Sequence, residues 1–249
     1  MGRLALRPGL RAYAHAPAGA EEAFENILSL DFDGVDSYAR SSGYVSTTVL
    51  SGAMSFSCWI KLDTLTGGWG AALYVGSAAS YYTGRIWLSV SGAGIMGRCV
   101  GPTVNYLNHT LAAADVWYHY VVTDSRTTAS TGDCKLYIDG VKVDEELGQT
   151  ALSTPGADWF VQAGRLGDSA DYWEGNVDEV SIWSVELSQS QINDLYGSGP
   201  TDLTGSAGLE HWYRMGDAIS GATVPDQHGS TDMTTYGTSP PAVDTDVPS

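Results

Sequence analysis

The stretch Glu174-Gly175-Asn176-Val177-Asp178-Glu179-Val180-Ser181-Ile182-Trp183, followed by Leu187-Ser188-Gln189-Ser190-Gln191-Ile192, reads as a strand that turns into one short helix. Strand alternation puts Asp178, Val180 and Ile182 on one face, where only Asp178 breaks the apolar character. A carboxylate on such a face needs a partner, because an unpaired buried charge is costly. Ser188 supplies an N-cap, and Gln191 three residues on completes a capping box. Ile192 and Leu195 give the helix one apolar edge.

Outward from this stretch, short runs alternate in the same way. Residues 27–32 turn Leu28, Leu30 and Phe32 inward, and Asp33-Gly34-Val35-Asp36 is a turn. Residues 55–62 set Phe56, Cys58, Ile60 and Leu62 against Trp59 and Lys61. Residues 85–90 set Ile86, Leu88 and Val90 against Trp87. Residues 71–75, 117–123, 134–138 and 160–164 are further strands, and Asp139-Gly140 closes a hairpin. With 30 glycines, the chain has the turns that many short strands need. The expected fold is all-β: a two-sheet antiparallel β-sandwich with jelly-roll connections, one short helix and extended terminal arms. The expected segments are an arm over 1–26, the sandwich over 27–197, and a C-terminal strand with an extended tail over 198–249. The first arm either hangs free or orders on a neighbouring subunit, and docking is the favoured expectation.

A net charge of −17 argues against nucleic acid, which needs a basic footprint, and against anionic membranes. The acidity serves solubility or, in a sharper reading, leaves carboxylates to hold Ca²⁺. Three cysteines without a C-x-x-C spacing signal neither a disulfide framework nor a zinc site. No apolar run approaches transmembrane length, and the Arg-bearing start lacks the continuous apolar stretch of a secretory signal.

At this point a family resemblance is visible. Leu30-Asp31-Phe32-Asp33-Gly34-Val35-Asp36, Phe56-Ser57-Cys58-Trp59-Ile60-Lys61, Trp117 to Thr123, Leu136-Tyr137-Ile138-Asp139-Gly140 and Gly164-Arg165-Leu166-Gly167-Asp168 precede the opening stretch in order. The set resembles laminin-G-like, concanavalin A-like lectin/glucanase jelly rolls over residues 27–197. Trp212-Tyr213-Arg214-Met215-Gly216-Asp217 and Asp226-Gln227-His228-Gly229 are similar to sequences beside such domains in bacteriophage structural proteins. The resemblance implies a surface-binding role, and a structural Ca²⁺ of the kind many relatives carry.

Three chemistries compete for the candidate residues. Glycoside hydrolysis needs two carboxylates flanking one bond, and the alternation of Asp178 and Glu179 puts them on opposite faces. The histidines show no metal spacing, and His119, inside a strand, reads as structural. For Ca²⁺, Asp33 and Asp178 are the candidate ligands, with Asp168 and Asp171 as a second cluster; alternatively Asp33 caps its own turn and Asp178 accepts backbone N–H bonds. For carbohydrate, the candidates are Trp59, Trp87, Trp69, Tyr81, Tyr82 and Trp173, since exposed aromatics stack on sugar rings. The expectation is therefore a non-enzymatic, lectin-like protein of a phage virion surface, fastened to other subunits through its arms and open to surface glycans. The alternative is a secreted, extracellular carbohydrate-binding module.

Overall fold

The computed structural model describes residues 24–65, 69–77, 86–91, 94–100, 104–152, 158–197 and 199–249. These form sixteen strands and two short helices. The first sheet runs β10 (Val141–Gln149), β9 (Gly132–Ile138), β8 (Trp117–Asp124), β3 (Met54–Leu62), β12 (Glu174–Trp183), β1 (Ser29–Asp33) and β16 (Ala242–Asp244), with β13 (Leu209–Tyr213) also on β12. The second runs β14 (Thr223–Val224), β15 (Met233–Tyr236), β2 (Tyr38–Ser41), β11 (Trp159–Ala163), β4 (Gly70–Ser77), β5 (Ile86–Ser91), β6 (Gly94–Val100) and β7 (Val104–Thr110). Neighbouring strands pair antiparallel in both sheets.

The inward residues of both sheets make one core. Leu30, Phe32, Phe56, Ile60, Leu73, Val75, Val122, Leu136, Val161, Val177, Val180 and Ile182 belong to it. Cys58 lies there too, and burial pushes its thiol pKa up. It is a small apolar filler, as its alternation with Phe56 and Ile60 implies.

Two expectations about the elements need correction. There are two helices rather than one: α1 (Thr47–Ser51) precedes α2 (Gln189–Gly197). Ser46 caps α1 by accepting from the Thr48 N–H, and Val49 and Leu50 bury its inner side. At α2 the Ser188 N–H donates to Gln191 Oε1 (3.0 Å) and the Gln191 N–H donates to Ser188 Oγ (3.3 Å), the capping box read from the sequence. Nor is the C-terminal segment an extended tail. β13 to β16 join both sheets, and Trp212, Tyr213, Met215, Val224 and Met233 are buried. β13 is the C-terminal strand read from the sequence, while β14 to β16 have four residues or fewer, too short for a period to register in a Gly/Pro/Thr-rich stretch.

β12 carries a β-bulge. Asp178 pairs with Trp59 and Ser181 with Ser57, so Glu179 and Val180 together oppose Cys58. Glu179 holds φ 48°, a left-handed value uncommon outside glycine. The extra residue breaks the alternation. Val177, Val180 and Ile182 face the core, while Asp178 pairs with the outward Trp59. Asp178 therefore does not share a face with Val180 and Ile182, contrary to the simple reading.

Candidate carbohydrate-binding face

The outer face of the second sheet is built by alternation in β2 and its neighbours. Ala39 turns into the core, so Tyr38 and Arg40 point out. Tyr236 pairs directly with Tyr38 across the β15–β2 ladder. Their rings stack at 4.8 Å between centroids with an interplanar angle of 15°. Tyr236 is 42% exposed, so it keeps an outer surface free while Tyr38 backs it.

Two arginines continue this surface. Arg165 sits 5.1 Å over the Tyr38 ring and 5.2 Å over Tyr172. Arg40 lies 4.1 Å over Phe160 and donates from Nε to Gln162 Oε1 at 2.6 Å. Both pair with Asp168: Arg40 by a direct hydrogen bond, Arg165 at 3.7 Å. Gln162 Nε2 donates to the carbonyls of Arg165 and Gly167, each at 2.8 Å, and so pins the loop that carries Arg165 and Asp168. Leu166 anchors the same loop by packing with Ala71, Tyr74, Trp87 and Phe160. Gly70 meets the loop from the other side. A Cβ there would stand 2.3 Å from the Tyr172 carbonyl oxygen, so only glycine fits. Trp69 is 50% exposed.

The other aromatic candidates fall elsewhere. Trp59 and Trp87 do point to outer faces, but these faces are covered and both rings are buried. Trp59 packs against His119 at 4.9 Å and Tyr196 of α2 at 6.0 Å. Trp87 lies beneath Leu166. Trp173 is wholly buried in the main core, where its backbone N–H donates to the Gly164 carbonyl. None of the three offers a ring face to a sugar, which corrects that expectation. Tyr81 and Tyr82 lie outside the described residues. The sequence reading missed Tyr38, Arg40, Arg165 and Tyr236. The alternation of Tyr38 and Arg40 against Ala39 and Ser41 was a usable signal, but Tyr236 sat in what looked like a tail.

The two metal candidates do not meet. Asp33 pairs with Glu174, and Asp178 lies four residues further along β12, about 13 Å away at strand rise. Asp33 Oδ1 accepts from the N–H groups of Val35, Asp36 and Ser37 and from Ser37 Oγ, at 2.8–3.1 Å. Burial alone would raise the Asp33 pKa, but these bonds outweigh it and lower the value. Asp33 is thus the cap of its own turn and does not fit a Ca²⁺ ligand shared with Asp178. Among the described residues no group of three His, Cys, Asp or Glu side chains is spaced to hold a metal ion. Asp168, of the second cluster, is already held by the two arginines.

Asp178 and Glu179 are the other departure. The bulge lets both carboxylates turn to the outer side of the first sheet, where Asn26 Nδ2 donates to Asp178 Oδ2 at 2.9 Å. Glu179 accepts from Trp212 Nε1 at 2.6 Å and Arg214 Nε at 3.3 Å. Burial raises the Asp178 pKa well above the usual range, and proximity to Glu179 adds to it. Burial pushes Glu179 up to about 7. Adjacent carboxylates on one face are thus present after all. They are shut off from solvent by burial, not separated by alternation. His119 is equally enclosed: Nε2 and Ser57 Oγ are 2.8 Å apart, and burial lowers its pKa to about 3.

A cleft of about 320 Å³ between α2 and residues 201–207 has Trp183, Leu187, Leu195 and Leu203 in its lining and Asp194 and Asp202 at its rim. Trp183 is 3% exposed there, too enclosed to stack on a sugar.

The model of the concanavalin A-like lectin/glucanases superfamily, of laminin-G type, matches residues 33–193. The chain belongs to this family. A sequence search of curated proteins finds no match. Among solved structures the chain is similar to a protein of Bacteroides ovatus described as a candidate carbohydrate-binding protein: TM-score 0.64, 19% identity, covering 90% of this chain and 62% of that one. This chain therefore spans less than two thirds of that relative's length. It is also similar to a heptameric SAP-like pentraxin of Limulus polyphemus: TM-score 0.51, 14% identity, covering 68% of this chain and 81% of the other. At these identities the likeness is one of fold. The family's match ends at residue 193, so β13 to β16, including Tyr236, lie beyond it.

Proposed function

We propose that this chain is a non-catalytic glycan-binding module whose ligand stacks on Tyr236. The exposed Tyr236 ring, backed by Tyr38, whose own ring is met by Arg165 of a pinned loop, is the observation that carries this reading. A sugar presents apolar C–H faces to such a ring and hydroxyls to the polar groups around it. The lectin-like fold and the description of the Bacteroides ovatus protein are consistent with it. Non-catalysis is supported by the burial of Asp178 and Glu179, the carboxylate pair nearest to a glycosidase arrangement.

A glycan array tests the reading, with hits measured again by titration calorimetry. Tyr236→Ala should weaken binding by about 1 kcal/mol, roughly fivefold, with the fold intact by circular dichroism. Trp59→Ala is the contrast, since its buried ring should cost stability without a selective loss of binding. An array without hits, or a hit untouched by Tyr236→Ala, refutes the assignment.

The finer placement we propose is a bacteriophage virion surface, resting on the sequence resemblance of residues 212–217 and 226–229. Both segments also do structural work here: His211 Nδ1 and Asp226 Oδ2 lie 2.7 Å apart, and Trp212 is buried. A secreted module is the alternative. Cosedimentation of the native protein with particles separates the two.

A further inference from the structure

We infer that the ligand of the Tyr236 face is an acidic sugar, its carboxylate received by Arg40 and Arg165. This rests on the glycan-binding reading and narrows it to a ligand class. In a chain of net charge −17, cations find carboxylate partners readily. Lys61 has Asp246, Lys142 has Glu145 and Arg126 has Asp124. Lys135 has both Asp133 and Glu186, and Arg214 has both Glu179 and Asp217. Each of these cations thus has at least one carboxylate of its own. Arg40 and Arg165 instead share Asp168. Two guanidinium groups against one paired carboxylate leave a surplus of guanidinium donors beside the Tyr38–Tyr236 pair.

Geometry makes that surplus usable. The Asp168 side chain is 48% exposed, so the carboxylate now between the arginines is itself at the surface. A ligand carboxylate can join or replace it without dismantling the loop, which Gln162 and Leu166 hold independently. Both guanidinium planes are already fixed. Arg40 is stacked on Phe160 and tied to Gln162; Arg165 is stacked on Tyr38 and donates from Nε to the Ser169 carbonyl at 2.8 Å. Guanidinium donors match a carboxylate in a bidentate fork, and prior ordering removes much of the entropy cost of binding. Among the described cations named above, Arg40 and Arg165 are the pair that shares a single carboxylate, which makes this face the favoured landing place for an acidic sugar. Tyr38 links the parts, since it touches Tyr236, Arg40 and Arg165 at once.

The test uses the full chain and two series of probes: polygalacturonate, alginate and hyaluronan oligosaccharides, and the same oligosaccharides after carboxyl reduction. Affinities are read by titration calorimetry at low and high salt. The acidic form should bind about tenfold tighter than its reduced counterpart at low salt, and the advantage should shrink at high salt. Arg40→Gln and Arg165→Gln should each erase most of that advantage, the acidic form losing more affinity than the reduced form. Asp168→Asn should act in the opposite direction, strengthening the acidic series severalfold; misfolding cannot produce such a gain. Equal affinities for both series, both lost in Tyr236→Ala, would overturn the acidic-sugar inference and leave the Tyr236 platform standing. Absence of binding in both series would overturn the inference and the platform together.

Discussion

Glu179→Gln should flatten the pH dependence of stability, and the size of the effect follows from the bulge. Glu179 is 5% exposed, and burial pushes its pKa from 4.5 up to about 7, with the Trp212 N–H and Arg214 holding it from rising further. Between those two values the folded protein keeps a proton that the unfolded chain has already released. Stability from this group is therefore complete below pH 4.5 and is lost as pH rises toward 7. At roughly 1.4 kcal/mol per pH unit the loss is about 3 kcal/mol by pH 8. For a chain of this size each kcal/mol moves Tm by roughly 2–4 °C, so the expected change is about 6–12 °C.

Gln keeps an oxygen for the Trp212 N–H and has no proton to lose. The Tm of Glu179→Gln relative to wild type should therefore climb through this window, whatever its value at pH 5. Asp178 also has a raised pKa, and its contribution has the same sign. Removing the Glu179 charge eases Asp178 ionisation, which flattens the mutant curve further. Differential scanning calorimetry of both proteins from pH 5 to 8.5, at matched ionic strength, gives the difference curve. A difference that is constant or falls with pH would refute the account of Glu179 as a buried, proton-holding acid.

Three further outcomes are expected. Trp173→Ala should cost about 3–5 kcal/mol in urea unfolding, because it empties a fully buried core position; a selective loss of ligand binding at unchanged stability would contradict its placement. Asp124→Asn should cost about 3–5 kcal/mol, since the wholly buried Arg126 loses the charge that its Nε meets at 2.9 Å; retention of wild-type stability would refute that pairing. Chelation with EDTA should leave Tm unchanged, because Asp33 is satisfied by its own turn, and a fall on chelation would refute that role.

Much of the fold was legible because the inward faces keep a strict period of two. Phe56, Cys58, Ile60 and Leu62 name their own face, and the core accepts all four. The capping box at Ser188 and Gln191 was readable for a related reason: its contacts span three residues and depend on nothing remote. β13 falls on the C-terminal strand read from the sequence, but β14 to β16 were not legible. Strands this short rest on partners far along the chain, β1 and β2, and leave almost no local pattern.

The candidate site failed to appear for a different reason. Alternation says which residues share a face, but it does not say whether anything lies over that face. Trp59 and Trp87 alternate outward as expected, yet α2 closes over one and the Leu166 loop over the other. Tyr38 follows the same rule and stays half-buried, because among the described residues Tyr236, Arg40 and Arg165 meet its ring without closing over it. The bulge adds a second limit. One residue at φ 48° turns Asp178 and Glu179 toward the same side, and no count of apolar and polar positions reveals that shift. What covers an outer face is set by tertiary contacts made late in the chain. An exposed aromatic platform in this architecture must therefore be sought where the covering segments end, at the edge where β15 meets β2.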